Sequence, residues 1–345
     1  MGIAFSQIDD AVMETQQRFI KQGSFVDLQH DLTDHVAVRE IWKGRKTKFS
    51  GGRDWRFEAQ IDHNHTARAV GLYEQDSSNV TDNMANGKVE PRHVNAYYVY
   101  DQREPDFQAG GRGIVDLVKA RYAAMIGSFY ETLEDFLWGK PDDDSDLKTP
   151  YGIAYWITRS ATEGFYGANP AGFTSGRAGI STGTVPRWAN WTAEYSAVSK
   201  TDLVRKMRRA HRKSQFKSPL SHAQPKVGGM GNGIYTSDPV IGLMEEILED
   251  QNMNLGNELA SKDGRTMFKG SPVTYVPKLD DDSGDPVYML DWSWLAIGVM
   301  EGWEYNLSKP MPVPGHHTVR RVDLDCSLNM ICTNLRRQAV LSKAA

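Results

Sequence analysis

One helix dominates what this chain can fold into. From Ile114 to Trp138 the apolar residues Val115, Val118, Tyr122, Met125, Ile126, Phe129, Leu133, Phe136 and Leu137 recur at steps of three and four. Asp116, Lys119, Glu131 and Glu134 fall off that stripe. Gly139 and Pro141 end the pattern. About 25 residues at roughly 1.5 Å each make a rod nearly 40 Å long, well beyond the usual globular helix and fit to be the backbone of an elongated subunit. The chain has 345 residues, 40% hydrophobic and 24% charged, enough for a large core in two or three lobes. Its net charge of −4 gives no overall electrostatic case for nucleic-acid binding.

The segments around the rod are strand-like or loop-like. Ahead of it, Ser6 and Asp9 form a capping-box-like start to a short amphipathic helix through Ile8, Val12, Phe19 and Ile20, an arm more than a domain. Trp55, Phe57, Ala59 and Ile61 alternate with polar neighbours, as do Val94, Ala96, Tyr98 and Tyr100. The polar stretch between them, with Asp76-Ser77-Ser78-Asn79 and Asn86-Gly87, suggests a long two-stranded ribbon pairing these two runs around an extended tip. Such a ribbon is marginal alone in water, so its natural support is another subunit.

After the rod, glycines at 164, 167, 172, 176, 179 and 183 mark a long flexible loop that closes on Pro186 to Trp191. Ser199 and Asp202 cap a basic helix through Leu203, Val204 and Met207; Asp238 and Pro239 start another, with Val240, Leu243, Met244, Ile247 and Leu248 as its buried stripe. Thr266 to Val299 is expected to be a hairpin, two apolar runs around an acidic turn from Lys278 to Pro286. A last strand-like segment runs from Val319 to Leu341.

No catalytic, cofactor-binding or metal-ligating set emerges. Gly179-Ile180-Ser181-Thr182-Gly183 matches the G-x-S-x-G elbow, but that motif needs a strand before the serine and a helix after it, whereas glycines crowd one side and Pro186 blocks the other. Asp280, Asp281, Asp282 and Asp285 put Asp285 where a calcium loop needs glycine, so a solvated turn is expected. His63-Asn64-His65 and His316-His317 lack zinc-site spacing. Cys326 and Cys332 suit buried free thiols in a reducing compartment. Arg205, Lys206, Arg208, Arg209, Arg212, Lys213 and Lys217 wrap around their helix with Phe216 as the one nearby aromatic, which favours a solvated or subunit-contacting face over a nucleic-acid groove. Neither a P-loop nor a dinucleotide fingerprint occurs. With no signal peptide and no apolar run near the roughly 18 residues of a membrane span, a soluble protein made in the cytoplasm is expected, and its three glycosylation sequons are chance matches.

The order of elements resembles the major capsid proteins of tailed bacteriophages with the HK97-type fold. The resemblance rests on an arm, a projecting ribbon, a long helix ending in Phe136-Leu137-Trp138-Gly139 ahead of Thr149-Pro150-Tyr151-Gly152-Ile153, a Gly-rich loop ending in Arg187-Trp188-Ala189-Asn190, and Lys269-Gly270-Ser271-Pro272-Val273 near the C-terminus. It implies an α+β chain divided as follows: residues 1–44 an N-terminal arm, 45–105 an E-loop ribbon with flanking P-domain strands, 106–200 the spine helix, P domain and Gly-rich loop, 201–318 mainly an A domain, and 319–345 a returning C-terminal strand segment. It further implies a non-enzymatic coat protein forming hexamers and pentamers of an icosahedral head around double-stranded DNA held without sequence-specific contacts, with no cofactor and no membrane. Scaffolding, portal and decoration proteins are the implied partners, the virion the implied location after assembly in the host cytoplasm. Because the rod begins about a hundred residues in, scaffold is expected as a separate protein. An encapsulin-type nanocompartment shell is the alternative within this fold, and a serine hydrolase using Ser181 the alternative outside it.

Overall fold

The computed structural model describes residues 35–42, 46–62, 66–73, 83–101, 103, 111–214, 231–252 and 266–344. The expected helix at Ser6 to Ile20, His63 to His65, and the ribbon-tip residues Asp76 to Asn79 lie outside them. A π-helical segment, Ala37–Trp42, leads into β1 (Lys46–Phe49), β2 (Trp55–Gln60), β3 (Met84–Val89) and β4 (Arg92–Asp101). The rod follows as α1 (Gly111–Trp138), then a single turn α2 (Ile153–Trp156), β5 (Trp191–Tyr195), α3 (Leu203–Ser214), β6 (Asn232–Thr236) and α4 (Asp238–Asn252). Eight strands complete the chain: β7 (Met267–Phe268), β8 (Ser271–Tyr275), β9 (Val287–Asp291), β10 (Leu295–Met300), β11 (Asn306–Leu307), β12 (Met311–Val313), β13 (His316–Cys332) and β14 (Ala339–Lys343).

The 17 residues of β13 organise the first sheet. Along Val319 to Leu328 it pairs antiparallel with β4, and β12, β11 and β10 pair with it in turn; parallel β1 extends the sheet from β10. The second sheet runs β5, β14, β9, β6, β8, β7. Its strands obey the period of two. Ile234, Val287, Met289, Ala339 and Leu341 face Leu203, Met207 and Ala210 of α3 and Val240 and Met244 of α4, whereas Tyr235, Tyr288, Leu290 and Val340 face the core shared with α1 and the first sheet. That core holds Trp156 and Trp292, both fully buried. Each places its indole N–H on a buried acceptor, the Met330 carbonyl at 3.0 Å and the Tyr235 hydroxyl at 3.0 Å.

Several expectations need correction. The run Thr266 to Val299 is not a hairpin: β6 lies between β8 and β9, parallel to one and antiparallel to the other. Nor is the second apolar run one strand: a turn at 291–294, with Trp294 N donating to Asp291 O, sends β9 and β10 into different sheets. The ribbon partner of β2 is β3, in register from Trp55↔Val89 to Gln60↔Met84, and β4 belongs to the first sheet. Polar and glycine-bearing, Met84–Val89 has little strand signature; Gly87 is needed because the Phe57 ring lies across it, and a β-carbon there would sit 2.2 Å from that ring. The C-terminal segment is two strands, broken where the Asn334 side chain accepts from Arg336 N and opens a 3-10 turn.

Glu134, expected on the polar side of the rod, is fully buried. Its carboxylate accepts from Ala37 N and Val38 N, both at 3.0 Å, and from Trp138 Nε1 at 2.7 Å. It therefore fixes the start of the π-helical segment against α1, satisfying donors that would otherwise be orphaned. Burial pushes its pKa up, against the lowering effect of those three donors. Because the folded pKa is raised, this group's contribution to stability is full below the ordinary value of 4.5 and is lost as pH rises through the folded value. Glu134→Ala should cost about 2–4 kcal/mol by leaving three buried donors unmet, seen as a lower urea midpoint with an unchanged slope. Glu134→Gln removes the titration, so the stability of wild type relative to it should fall as pH rises through that window.

Candidate functional site

The segment expected to be a flexible Gly-rich loop is built around a buried cation. Arg177 has no exposed surface. Its guanidinium donates to the carbonyls of Gly167 and Trp188 at 3.4 Å and of Ala168 at 2.6 Å, to Asn190 Oδ1 at 3.1 Å, and to Thr158 Oγ1. Asn190, also fully buried, bridges to the other wall through Nδ2 to Thr158 O at 2.9 Å. Gly167 is required here, since a β-carbon would stand 1.9 Å from Asn190 Oδ1. Burial pushes the Arg177 pKa down to about 10, which leaves it charged at neutral pH. Backbone oxygens here do what a carboxylate partner would do elsewhere, and they draw residues 158–190 into one ordered unit.

Ser181 lies in this unit, between the Arg177↔Ile180 bridge and the turn at Thr184 N to Ser181 O, and not on a strand-to-helix elbow. Its hydroxyl accepts from Asn169 Nδ2 at 2.9 Å and Gly183 N at 3.2 Å. Those contacts hold a loop together. Cys326 and Cys332 are free and buried, and burial raises both thiols to about 12, far from a reactive thiolate.

The acidic turn is not simply solvated, for three of its carboxylates tie down separate elements. Asp280 accepts from Asp238 N at 2.9 Å, at the start of α4, and from the Tyr275 hydroxyl at 2.5 Å. Asp282 takes both Nη atoms of Arg159, which also donates to the Tyr288 hydroxyl at 3.1 Å, and this pairing holds the Asp282 carboxyl below the usual range. Asp285 accepts from Lys343 Nζ at 3.1 Å and Ser237 Oγ at 3.3 Å. Asp281 remains at the surface, 3.8 Å from Lys278 Nζ. Among the described residues no group of three or more His, Cys, Asp or Glu could hold a metal ion, and no helix is long and apolar enough to cross a membrane. His316 and His317 begin β13, exposed.

The basic cluster divides. Lys206 folds back onto Asp202 at 2.5 Å and the Glu194 carbonyl at 2.5 Å, and Arg209 pairs with Glu163 at 2.9 Å. Arg205, Arg208, Arg212 and Lys213 stand exposed on α3, whose buried stripe is Leu203, Met207, Ala210 and Ser214. Phe216 and Lys217 lie outside the described residues. A second uncovered surface belongs to the ribbon, beyond β2, where Val70, Leu72 and Tyr73 are 60%, 94% and 104% exposed. Sequence reasoning missed Glu134, Arg177 and Asn190; the only signal was a charged or amide residue within an apolar or glycine-rich setting.

Replacing Arg177 with Leu should strand its carbonyl acceptors and cost about 3 kcal/mol or more at roughly 1–3 kcal/mol per unmet group. Limited proteolysis should then cut within residues 160–185, and the same segment should resist cleavage in the wild type.

No protein-family model matches the chain, and no curated sequence matches it. Solved structures do, over nearly its whole length. The capsid of a native GTA particle, computed with C5 symmetry, is 11% identical with a TM-score of 0.58, covering 97% of this chain and 99% of that one. The capsid of the Myoviridae phage XM1 is 9% identical with a TM-score of 0.53 and 99% of both chains covered. The holo-SrpI encapsulin complex from Synechococcus elongatus is 10% identical with a TM-score of 0.53, covering 99% of this chain and 96% of that one. With its long helix on a mixed sheet, its two-stranded ribbon and its second six-stranded sheet, the chain has the α+β HK97-type capsid fold.

Proposed function

We propose that this chain is the major capsid protein of a tailed double-stranded DNA bacteriophage, self-assembling into hexamers and pentamers of an icosahedral head. The observation that carries the reading is the ribbon: two strands whose outer end presents Val70, Leu72 and Tyr73 uncovered by their own chain. Isolated large apolar side chains are ordinary on a surface, but three together at the end of a two-stranded ribbon call for a covering partner. The likeness to phage capsids supports a neighbouring subunit as that partner.

On this reading residues 45–105 contain the E-loop, α1 is the spine helix, and the second sheet with α3 and α4 is the main part of the A domain. The first sheet belongs to the P domain, and 1–44 is the N-terminal arm. The protein is non-enzymatic and resides in the virion after assembly in the host cytoplasm. It encloses DNA without sequence-specific contacts, and works with scaffolding, portal and decoration proteins.

Electron microscopy of the expressed protein, with scaffold supplied, should show closed particles, and particles from infected cells should hold nuclease-protected DNA. A co-purifying cargo protein in place of DNA would instead establish an encapsulin. Because residues 84–88 pair with β2, the ribbon test removes residues 66–82 alone, bridged by a short turn. The shortened subunit should melt within a few degrees of wild type and fail to form particles; unfolding of the isolated subunit would show that this segment is core.

A further inference from the structure

Charge along this chain is segregated in a way the fold itself does not use. Between Asp202 and Asp238 lie eight Lys and Arg and no Asp or Glu, in a chain of net charge −4. Immediately after comes α4, with Asp238, Glu245, Glu246, Glu249 and Asp250 and no basic residue. The two helices cover the same face of the second sheet, α3 crossing from β5 and β14 to Phe268 of β7, where the ring of His211 meets it edge-on, and α4 toward β8. Among the described residues no ion pair joins them.

Between α3 and the β7–β8 turn is a cleft of about 410 Å³ lined by Arg208, His211, Arg212 and Lys269. Among the described residues no acidic side chain lines it, and no ion pair is made by Arg208, Arg212 or Lys269. Lys269 has a φ of 51°, a left-handed conformation in which a lysine is strained, so a charged side chain stands where Asn or Gly would be the easier choice. On α4, Glu245 and Glu246 are exposed, Leu243 is 43% exposed, and the Glu245 carboxylate accepts from Thr266 Oγ1 at 3.3 Å.

We propose that the cationic cleft of Arg208, Arg212 and Lys269 receives the acidic face of α4, with Glu245 and Glu246, from a second copy of this chain. The proposal rests on the capsid reading above and names the contact that would build its rings. A two-fold contact through α3 would set like charge against like charge. An α3-to-α4 contact repeated in one direction is heterologous, running head to tail, and it forms a ring where its rotation closes. Being exposed, the charges are screened within about 8 Å at physiological ionic strength, so ring formation should weaken as salt rises.

Charge reversal tests this under conditions where wild type forms closed particles. Arg208→Glu with Arg212→Glu gives one variant, and Glu245→Lys with Glu246→Lys the other. All four residues are exposed, and near-ultraviolet circular dichroism should show both subunits folded. Each variant alone should assemble at least about tenfold more slowly by light scattering, as like charges meet across the contact. An equimolar mixture should recover hexamers, in which the variants alternate, but not five-membered rings, which cannot alternate. The chain carrying all four reversals should recover both. Normal assembly of either variant alone overturns this inference and leaves the capsid reading standing, as does failure of both the mixture and the four-fold variant to recover; in that case the basic face serves another anion, such as packaged DNA. Wild type that forms no ring or particle in any condition overturns the capsid reading and this inference with it.

Discussion

The constraint on which the rest of the structure depends is the pairing of β13. A strand of 17 residues has two edges, and here neither is left unused over most of its length. Its register with β4 joins residues far apart in the chain, Val319 with Asp101 and Leu328 with Arg92. On the other edge it gathers β10, β11 and β12. One-residue slippage would turn Val322, Leu324, Cys326 and Leu328 away from the core, so register is strongly specified. Once it is set, α1 can lie against β4, and the chain ends of both sheets are positioned. Such long-range pairing makes folding slow.

Glu134 and Arg177, both without exposed surface, are handled alike. Glu134 is met by two backbone amides and an indole, and Arg177 by three backbone carbonyls, an amide oxygen and a hydroxyl. Neither takes an oppositely charged side chain as its hydrogen-bond partner. A buried ion pair holds together two groups that can each be lost; a charge held by backbone instead binds whole segments. Glu134 fixes residues 37–38 to α1, and Arg177 closes residues 158–190 on themselves. Both uses follow from the cost of leaving a buried backbone group unmet.

Much of the architecture was legible because it follows local periodicity. The apolar stripe of α1, the stop at Gly139 and the Asp238-Pro239 start of α4 are each set by residues within one or two turns. The thirty-odd residues from Thr266 to Val299 were misread for the opposite reason. Alternation reports that Val273 and Tyr288 lie in strands, but it carries no information that β6, forty residues earlier, lies between them. The same limit hid the ribbon, since β3 is polar, contains Asn86-Gly87 and pairs only because Phe57 packs across the glycine. The surfaces were half legible: the basic run of α3 is plain in the sequence, whereas its sidedness depends on which residues the second sheet buries. Arg177 showed only as a charge in a glycine-rich setting, because three of its partners are backbone carbonyls.

Taken together, these features separate two kinds of electrostatics. Inside, Glu134 and Arg177 are desolvated and satisfied by dipoles fixed in place, where added salt has little access. Outside, α3 and α4 carry unlike charges on separate patches, with no ion pair between them among the described residues, where salt screens them readily. A subunit that must fold alone and later associate gains from this division. On the proposed reading its own stability would not draw on the α3–α4 contacts made with neighbours, and those contacts would be weak enough singly for a misplaced subunit to leave and many enough collectively for a closed shell to hold. A chain that spent its surface charges on internal pairs would be no more secure in its core and would have less with which to recognise another copy of itself.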